Sequence, residues 1–171
     1  MREAILGAFF RLVLERRYSN IRIGDIVARS GVGRSTFYEH FRNKDELLAA
    51  SLEGPFSVLA ESVTGTAPSG ALTGMLEHFW TNRTVARGLL AGTMRRRLAA
   101  TLSKMIELRL RRSAPSTAWS VQTSSVMLAE MMLAPIAAWL AGEVPGSARD
   151  LADGLRAATQ AAVRALTHKP G

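Results

Sequence analysis

The segment from Ile23 to Leu48, IGDIVARSGVGRSTFYEHFRNKDELL, constrains the fold of this chain more than any other. Helical stretches flank Ser30-Gly31-Val32, and Gly31 can take the positive φ that a helix carboxyl cap and a sharp turn require. The spacing is that of a helix-turn-helix, which sets its second helix into the major groove of DNA. That second helix is expected over Arg34 to Phe41, and Asn43 with Glu46 three residues on reads as the cap of a further helix. Ile26 and Val27 face inward. Phe37 and Phe41, one helical turn apart, should plug a small core against Ile26 and Leu47.

The remainder is also read as helical, because no stretch shows strand alternation and nearly every long stretch fits a helical period. An all-α fold of about nine helices is expected. A first helix from Arg2 to Arg16 carries the apolar stripe Ile5, Phe9, Leu12 and Val13, with Leu6 and Phe10 beside it. Gly54-Pro55 breaks or kinks the chain. It separates a three-helix helix-turn-helix domain at 1–53 from a helical domain at 54–171. In the second domain helices are expected at Phe56–Val63, Ala71–Thr81, Thr84–Ala91 and Met94–Arg112. A long helix follows to about Ala141, capped by Ser116 or Thr117 and bent at Pro135. A last helix, capped by Ser147 with Asp150, runs to about Thr167.

Composition narrows the function classes. The chain has no cysteine, which removes disulfides, thiolate metal sites and cysteine nucleophiles, and suits a reducing cytoplasm. His40, His78 and His168 are the only histidines, and no phosphate loop or metal-spaced carboxylates accompany them. No catalytic residue, metal or cofactor is therefore expected, and the chain reads as a non-enzyme. Arg2 and Glu3 open no secretory signal. The most apolar run, Val126 to Ala141, is interrupted by Glu130 and Pro135 and reads as a buried helix too short for a bilayer, so no membrane partner is expected.

The net charge of +8 suits a polyanionic partner. Its distribution is uneven. Residues 1–53 hold nine Lys/Arg against seven Asp/Glu, 54–116 hold nine against three, and 117–171 hold four against four. The helix-turn-helix itself is nearly neutral, so DNA binding must rest on a few placed side chains. Arg34, Ser35 and Thr36 lie at the amino end of the second helix, where side chains approach base edges. An arginine there can fork onto guanine O6 and N7, and a threonine methyl can meet the thymine methyl. Tyr38, His40 and Lys44 project around the end of that helix and the start of the next.

Asp25-Ile26-Val27-Ala28, Gly31-Val32, Ser35-Thr36-Phe37-Tyr38, His40-Phe41 and Asn43-Lys44-Asp45-Glu46-Leu47-Leu48 together resemble the signature of the tetracycline-repressor (TetR) family of bacterial transcriptional regulators. The signature covers about a third of the chain. The resemblance implies that Tyr38, His40 and Lys44 hold phosphates. Three positions depart from the family pattern: Arg17 stands where a glycine usually ends the first helix, Arg22 where Thr or Ser caps the second, and Gly24 where some relatives carry a long basic contact. Arg22 or Arg29 could substitute on the DNA backbone.

The resemblance further implies a homodimer that reads two half-sites of a palindromic double-stranded operator. The two long C-terminal helices would pair across a two-fold axis, with Val126, Trp139, Leu151, Leu155, Ala158 and Ala162 as the interface candidates. It also implies an effector pocket for an unidentified small molecule, with Phe56, Leu59, Met75, Phe79, Trp80, Met94, Met105, Met127 and Met131 as walls, although each of these alone also reads as plain core. The expected function is a cytoplasmic, ligand-responsive, DNA-binding repressor. The alternative is a helical protein-interaction module that kept the fold and lost DNA binding.

Overall fold

A computed structural model describes residues 1–113 and 120–167. Among these there are ten α-helices, against an expectation of about nine, and no strand. Contacts divide the chain into two compact units, Met1–Gly54 and Pro55–Gly171.

The first unit holds α1 (Arg2–Glu15), α2 (Ile23–Ser30), α3 (Arg34–His40) and α4 (Lys44–Ser51), with a single 3-10 turn at Tyr18–Asn20. Helix α1 turns Ile5, Ala8, Phe9 and Leu12 inward and packs on α2 and α4. Phe10, expected beside that stripe, is 40% exposed instead. The core is completed by Ile21, Ile26, Phe37, Phe41, Leu47 and Leu48. Each such fully buried aliphatic or aromatic side chain contributes about 1.5–3 kcal/mol.

Helix α1 ends without a left-handed residue. Arg16 goes extended at φ −150° and ψ 160°, Arg17 follows at φ −60°, and no non-glycine residue among those described has positive φ. The arginine standing for the usual glycine therefore carries no strain; the chain leaves the helix by straightening.

Helix α5 (Glu53–Thr64) follows α4 with only Leu52 between them, so Gly54-Pro55 is not a break. Pro55 occupies the first helical turn, where its missing N–H had no partner to lose. The actual discontinuity is Leu52, the carboxyl cap of α4.

The second unit continues with α6 (Ala71–Thr81), α7 (Arg83–Leu90), α8 (Gly92–Ser113), α9 (Val121–Ala141) and α10 (Ala148–Thr167). Its centre is the pair α8 and α9, which meet along most of their lengths. Leu98, Leu102, Ile106 and Leu110 recur every fourth residue on α8, and Leu128, Met132, Leu133, Ile136 and Leu140 oppose them from α9. Helix α7 lies against both, and α10 covers α6 and α9. Helix α9 is capped by Ser120, whose Oγ accepts from the Thr123 N–H at 3.1 Å. The expected caps Ser116 and Thr117 lie outside the described residues, as does His168.

At 21 residues α9 is longer than the apolar run suggested, and by length and composition it could cross a membrane. Half of its apolar window is instead buried against its neighbours. Glu130, which interrupts the run, pairs with Arg95 of α8.

A reciprocal cap opens α10. The Ser147 N–H and hydroxyl donate to Asp150 Oδ2 at 2.9 and 2.7 Å, and the Asp150 N–H donates to Ser147 Oγ at 3.2 Å. The Ser147 hydroxyl and then its N–H hold the Asp150 carboxyl below its ordinary value. A carboxylate whose pKa is lower in the folded than in the unfolded state stabilises the fold above the unfolded value and loses that contribution as pH falls through the folded value. Asp150→Asn is expected to flatten the fall of melting temperature with pH below about pH 4. A melting-temperature profile whose acid limb is unchanged by the substitution would contradict this coupling.

Candidate nucleic-acid interface

Helices α2 and α3 meet around Gly31, the carboxyl cap of α2, at φ 69° and ψ 11°. The Ser30 hydroxyl accepts from the Val32 N–H at 3.5 Å and donates to the Val27 carbonyl at 3.1 Å, which holds the turn in place. Gly33 caps α3 at its amino end without a side chain. Phe37 then anchors α3 from below: it is fully buried, its ring 6.1 Å from Phe41 and edge-on to Tyr38 at 5.4 Å.

That anchoring decides what α3 shows to solvent. Arg34, Ser35, Tyr38 and His40 are exposed and Thr36 is half-buried. Tyr38, 48% exposed, is held by its edge-on packing on Phe37. Arg34 and Arg22 lie with Gly24, Asn43 and Lys44 along one open groove on this unit, which Asp25 and Asp45 also line. Three of the seven candidate contacts, Arg22, Arg34 and Lys44, are thus brought to one groove from the amino ends of α2, α3 and α4.

Helix α2 has half of a capping box. The Asp25 carboxylate accepts from the Arg22 N–H at 2.8 Å. A guanidinium has no acceptor, so the forward half of the box is missing, as the sequence implied. Asn43 caps α4 as expected, its Oδ1 accepting from the Glu46 N–H at 2.8 Å. The return bond goes to Arg42, whose N–H donates to Glu46 Oε2 at 2.7 Å.

Lys44 has a second role that its position in the motif did not announce. Its ammonium donates to the carbonyls of Tyr18 and Ile21, both at 2.8 Å, and sits 4.2 Å above the Tyr18 ring. The Tyr18 hydroxyl in turn donates to Asp45. Burial pulls the Lys44 pKa below its ordinary value, and Asp45 opposes the shift. Lys44 therefore fastens the 3-10 turn to α4 with two of its three ammonium protons. Tyr18 is a participant that sequence reasoning missed. Its carbonyl is 26 residues from Lys44, and no local pattern links the two.

Arg29, one of two candidate substitutes for a backbone contact, is engaged elsewhere. Its guanidinium forks onto Glu15 at 2.7 and 2.6 Å, joining α2 to α1. The hydrogen bond from Arg29 holds the Glu15 carboxyl below its ordinary value. Arg22 is left as the exposed cation at the start of α2.

In the second unit the effector-pocket candidates fall into different environments. Phe56, Leu59 and Met75 are packed core, Trp80 and Met127 are 41% and 50% exposed, and Phe79, Met94, Met105 and Met131 are half-buried. Of the dimer-interface candidates, Trp139 and Leu155 are buried inside their own unit, which removes them from any outer face. Trp139 stacks at 4.6 Å on Trp80, which also lies under the Arg83 guanidinium at 5.1 Å. Val126 is 50% exposed, Ala158 is exposed, and Leu151 and Ala162 are half-buried.

Residues 5–51 match the family described as bacterial regulatory proteins, tetR family. A 64-residue stretch is 36% identical to YxbF of Bacillus subtilis, an uncharacterized HTH-type transcriptional regulator, covering 37% of this chain and 17% of that protein. Over most of its length the chain is similar in fold to solved TetR regulators. One from Streptococcus agalactiae has a TM-score of 0.58 at 24% identity, with 92% of each chain covered. Another from a Rhodococcus species has a TM-score of 0.59 at 17% identity, with 96% of each covered.

Proposed function

We propose, from the match of residues 5–51 to the tetR family of bacterial regulatory proteins, that the chain is a cytoplasmic transcriptional repressor, not an enzyme, that binds a palindromic operator as a homodimer and releases it on binding a small molecule. The observation that carries the reading is the outer face of α3, where Arg34, Ser35, Tyr38 and His40 stand exposed over a helix fixed by fully buried Phe37. Arg34 reads guanine, Thr36 offers a methyl to thymine, and Arg22, Tyr38, His40 and Lys44 position the helix on phosphates.

One reading head per chain favours a two-fold partner, because two half-sites about 34–36 Å apart need two heads. The surfaces that support it differ from the pattern expected at first. On α10, Gly154, Ala158, Ala161 and Ala165 share an exposed face of small residues that admits close helix approach. On α9, Val126, Met127 and Ala134 are exposed. An effector is supported by the mixture of half-buried Met and Phe side chains in this unit. Ser124 Oγ and Thr159 Oγ1, buried without a hydrogen-bond partner, add polar atoms that a ligand can satisfy.

The test is a fluorescence-anisotropy titration of the full chain against duplexes from the DNA flanking its own coding sequence. A site bound as a dimer, in preference to random duplex, is the expected result. Arg34→Ala is expected to reduce that preference by about 1–3 kcal/mol, the value of one bidentate arginine–guanine contact. Equal affinity for every duplex, or binding to a protein partner with no DNA affinity, would overturn the reading in favour of an interaction module.

A further inference from the structure

The positive charge of the chain is concentrated away from the reading head. Residues 54–116 carry nine Lys/Arg against three Asp/Glu, and most of this excess lies on α8. The inward face of α8 is apolar, with Leu98, Ala99, Leu102, Ile106 and Leu110 buried. Its solvent face bears Arg96, Arg97, Ala100, Lys104, Leu108, Arg111 and Arg112, all exposed. At about 100° per residue these positions fall within one half of the helix circumference.

Pairing among the described residues leaves three cations of this face, Arg96, Lys104 and Arg112, without an acid. Glu107, the one acid within α8, is engaged with Arg111 at 2.6 Å. Glu61 and Glu130 are taken by Arg109 and Arg95, which leave α8 on other sides. From Arg96 to Arg112 the face extends about 24 Å at about 1.5 Å per residue. Such a row of like charges repels itself, and an anionic partner of matching length relieves the repulsion.

We propose that the solvent face of α8 is a second, sequence-independent contact for the phosphate backbone of double-stranded DNA, separate from the α3 reading surface. Duplex DNA presents one negative charge per about 1.7 Å of axis, a density that a cationic row of this length can meet at several points. The composition of the face selects among polyanions. It carries no aromatic residue, so it lacks the stacking platform by which single strands are held. Its one large apolar side chain is Leu108, 59% exposed, too little apolar surface to enter a bilayer interface beside anionic lipid. Arginine predominates, and its planar fork suits phosphate oxygens.

The experiment compares the full chain with the variant Arg96→Gln/Lys104→Gln/Arg112→Gln, using a random-sequence duplex and the preferred duplex in parallel. Circular dichroism checks that the variant folds, which these exposed positions favour. Each phosphate contact contributes about 0.9 to the slope of log affinity against log salt, so losing three lowers the slope by about 2.7 for each bound copy of the chain. Between about 50 and 200 mM salt the variant should therefore lose roughly 40-fold less affinity than the parent chain for each bound copy. The ratio of preferred to random affinity should stay the same, since α3 sets it. An unchanged slope overturns the proposal. So does stronger binding of the parent chain to phosphatidylserine vesicles than to the random duplex. If no duplex is preferred but the slope still falls in the variant, the α8 contact stands and the reading of α3 fails.

Discussion

Replacing Phe37 with alanine is expected to unfold the N-terminal unit while the second unit keeps its helices. The side chain is fully buried, lies 6.1 Å from the Phe41 ring, and is enclosed by the core that α1, α2 and α4 build. Removing a buried phenylalanine costs about 3–5 kcal/mol through lost transfer energy and the cavity left behind. A unit spanning only Met1–Gly54 has little to oppose that loss, because globular domains hold roughly 0.05–0.15 kcal/mol of stability per residue. The loss is comparable to the whole. A two-step thermal melt by circular dichroism, or amide-exchange protection lost only within residues 1–54, is the expected signature, together with loss of all duplex preference. Tyr38→Ala provides the contrast. Tyr38 is next in sequence but 48% exposed, so its removal should leave melting within about 0.5 kcal/mol of the parent while weakening DNA binding. A Phe37→Ala chain that melts like the parent would mean that the core is not organised around this ring.

The contrast between Phe37 and Tyr38 was legible in the sequence because it is local. Phe37 and Phe41 share one helical face, Gly31 permits one kind of turn, and Asn43 with Glu46 marks a helix start whose cap distances follow the pattern. What the sequence hid depends on long-range contact. Lys44 reads as a phosphate contact from its motif position, yet two of its ammonium protons go to carbonyls at Tyr18 and Ile21. Arg29 reads as a spare surface cation until Glu15, a helix away, takes its guanidinium. The departures at Arg17 and Gly54-Pro55 also resolve locally, but in ways that one-residue rules do not anticipate. A helix can end by going extended, and a proline can start a helix as readily as break one. In the second unit α9 is apolar on nearly every side, so its periodicity could not say which face its own unit would take. That is why Trp139, an interface candidate by sequence, is found inside its own unit.

Trp139→Ala should produce the largest loss in the second unit, about 3–5 kcal/mol for a buried tryptophan, and the loss should not depend on protein concentration. The ring is 3% exposed, its Nε1–H donates to the Gly146 carbonyl at 2.9 Å, and Trp80 packs on it at 4.6 Å. One side chain thus fastens the end of α9 to the loop that turns into α10, a loop whose Gly142 and Gly146 both have positive φ. Trp139→Phe keeps most of the volume but strips the Gly146 carbonyl of its donor, and should lose about 1–3 kcal/mol. Chemical denaturation at two widely separated protein concentrations distinguishes this role from that of an interface residue. A residue buried between two copies alters stability through the association equilibrium, so its effect varies with concentration; one buried within its own fold lowers both curves equally. Ala158→Glu is the matching probe of the exposed face of α10. It should leave the stability of the single chain near that of the parent and raise the dimer dissociation constant in sedimentation. If Trp139→Ala instead dissociated a dimer and left the chain's own stability intact, the ring would have to leave its place beside Trp80 and Gly146. The packing of α9 on its neighbours would then differ from that described.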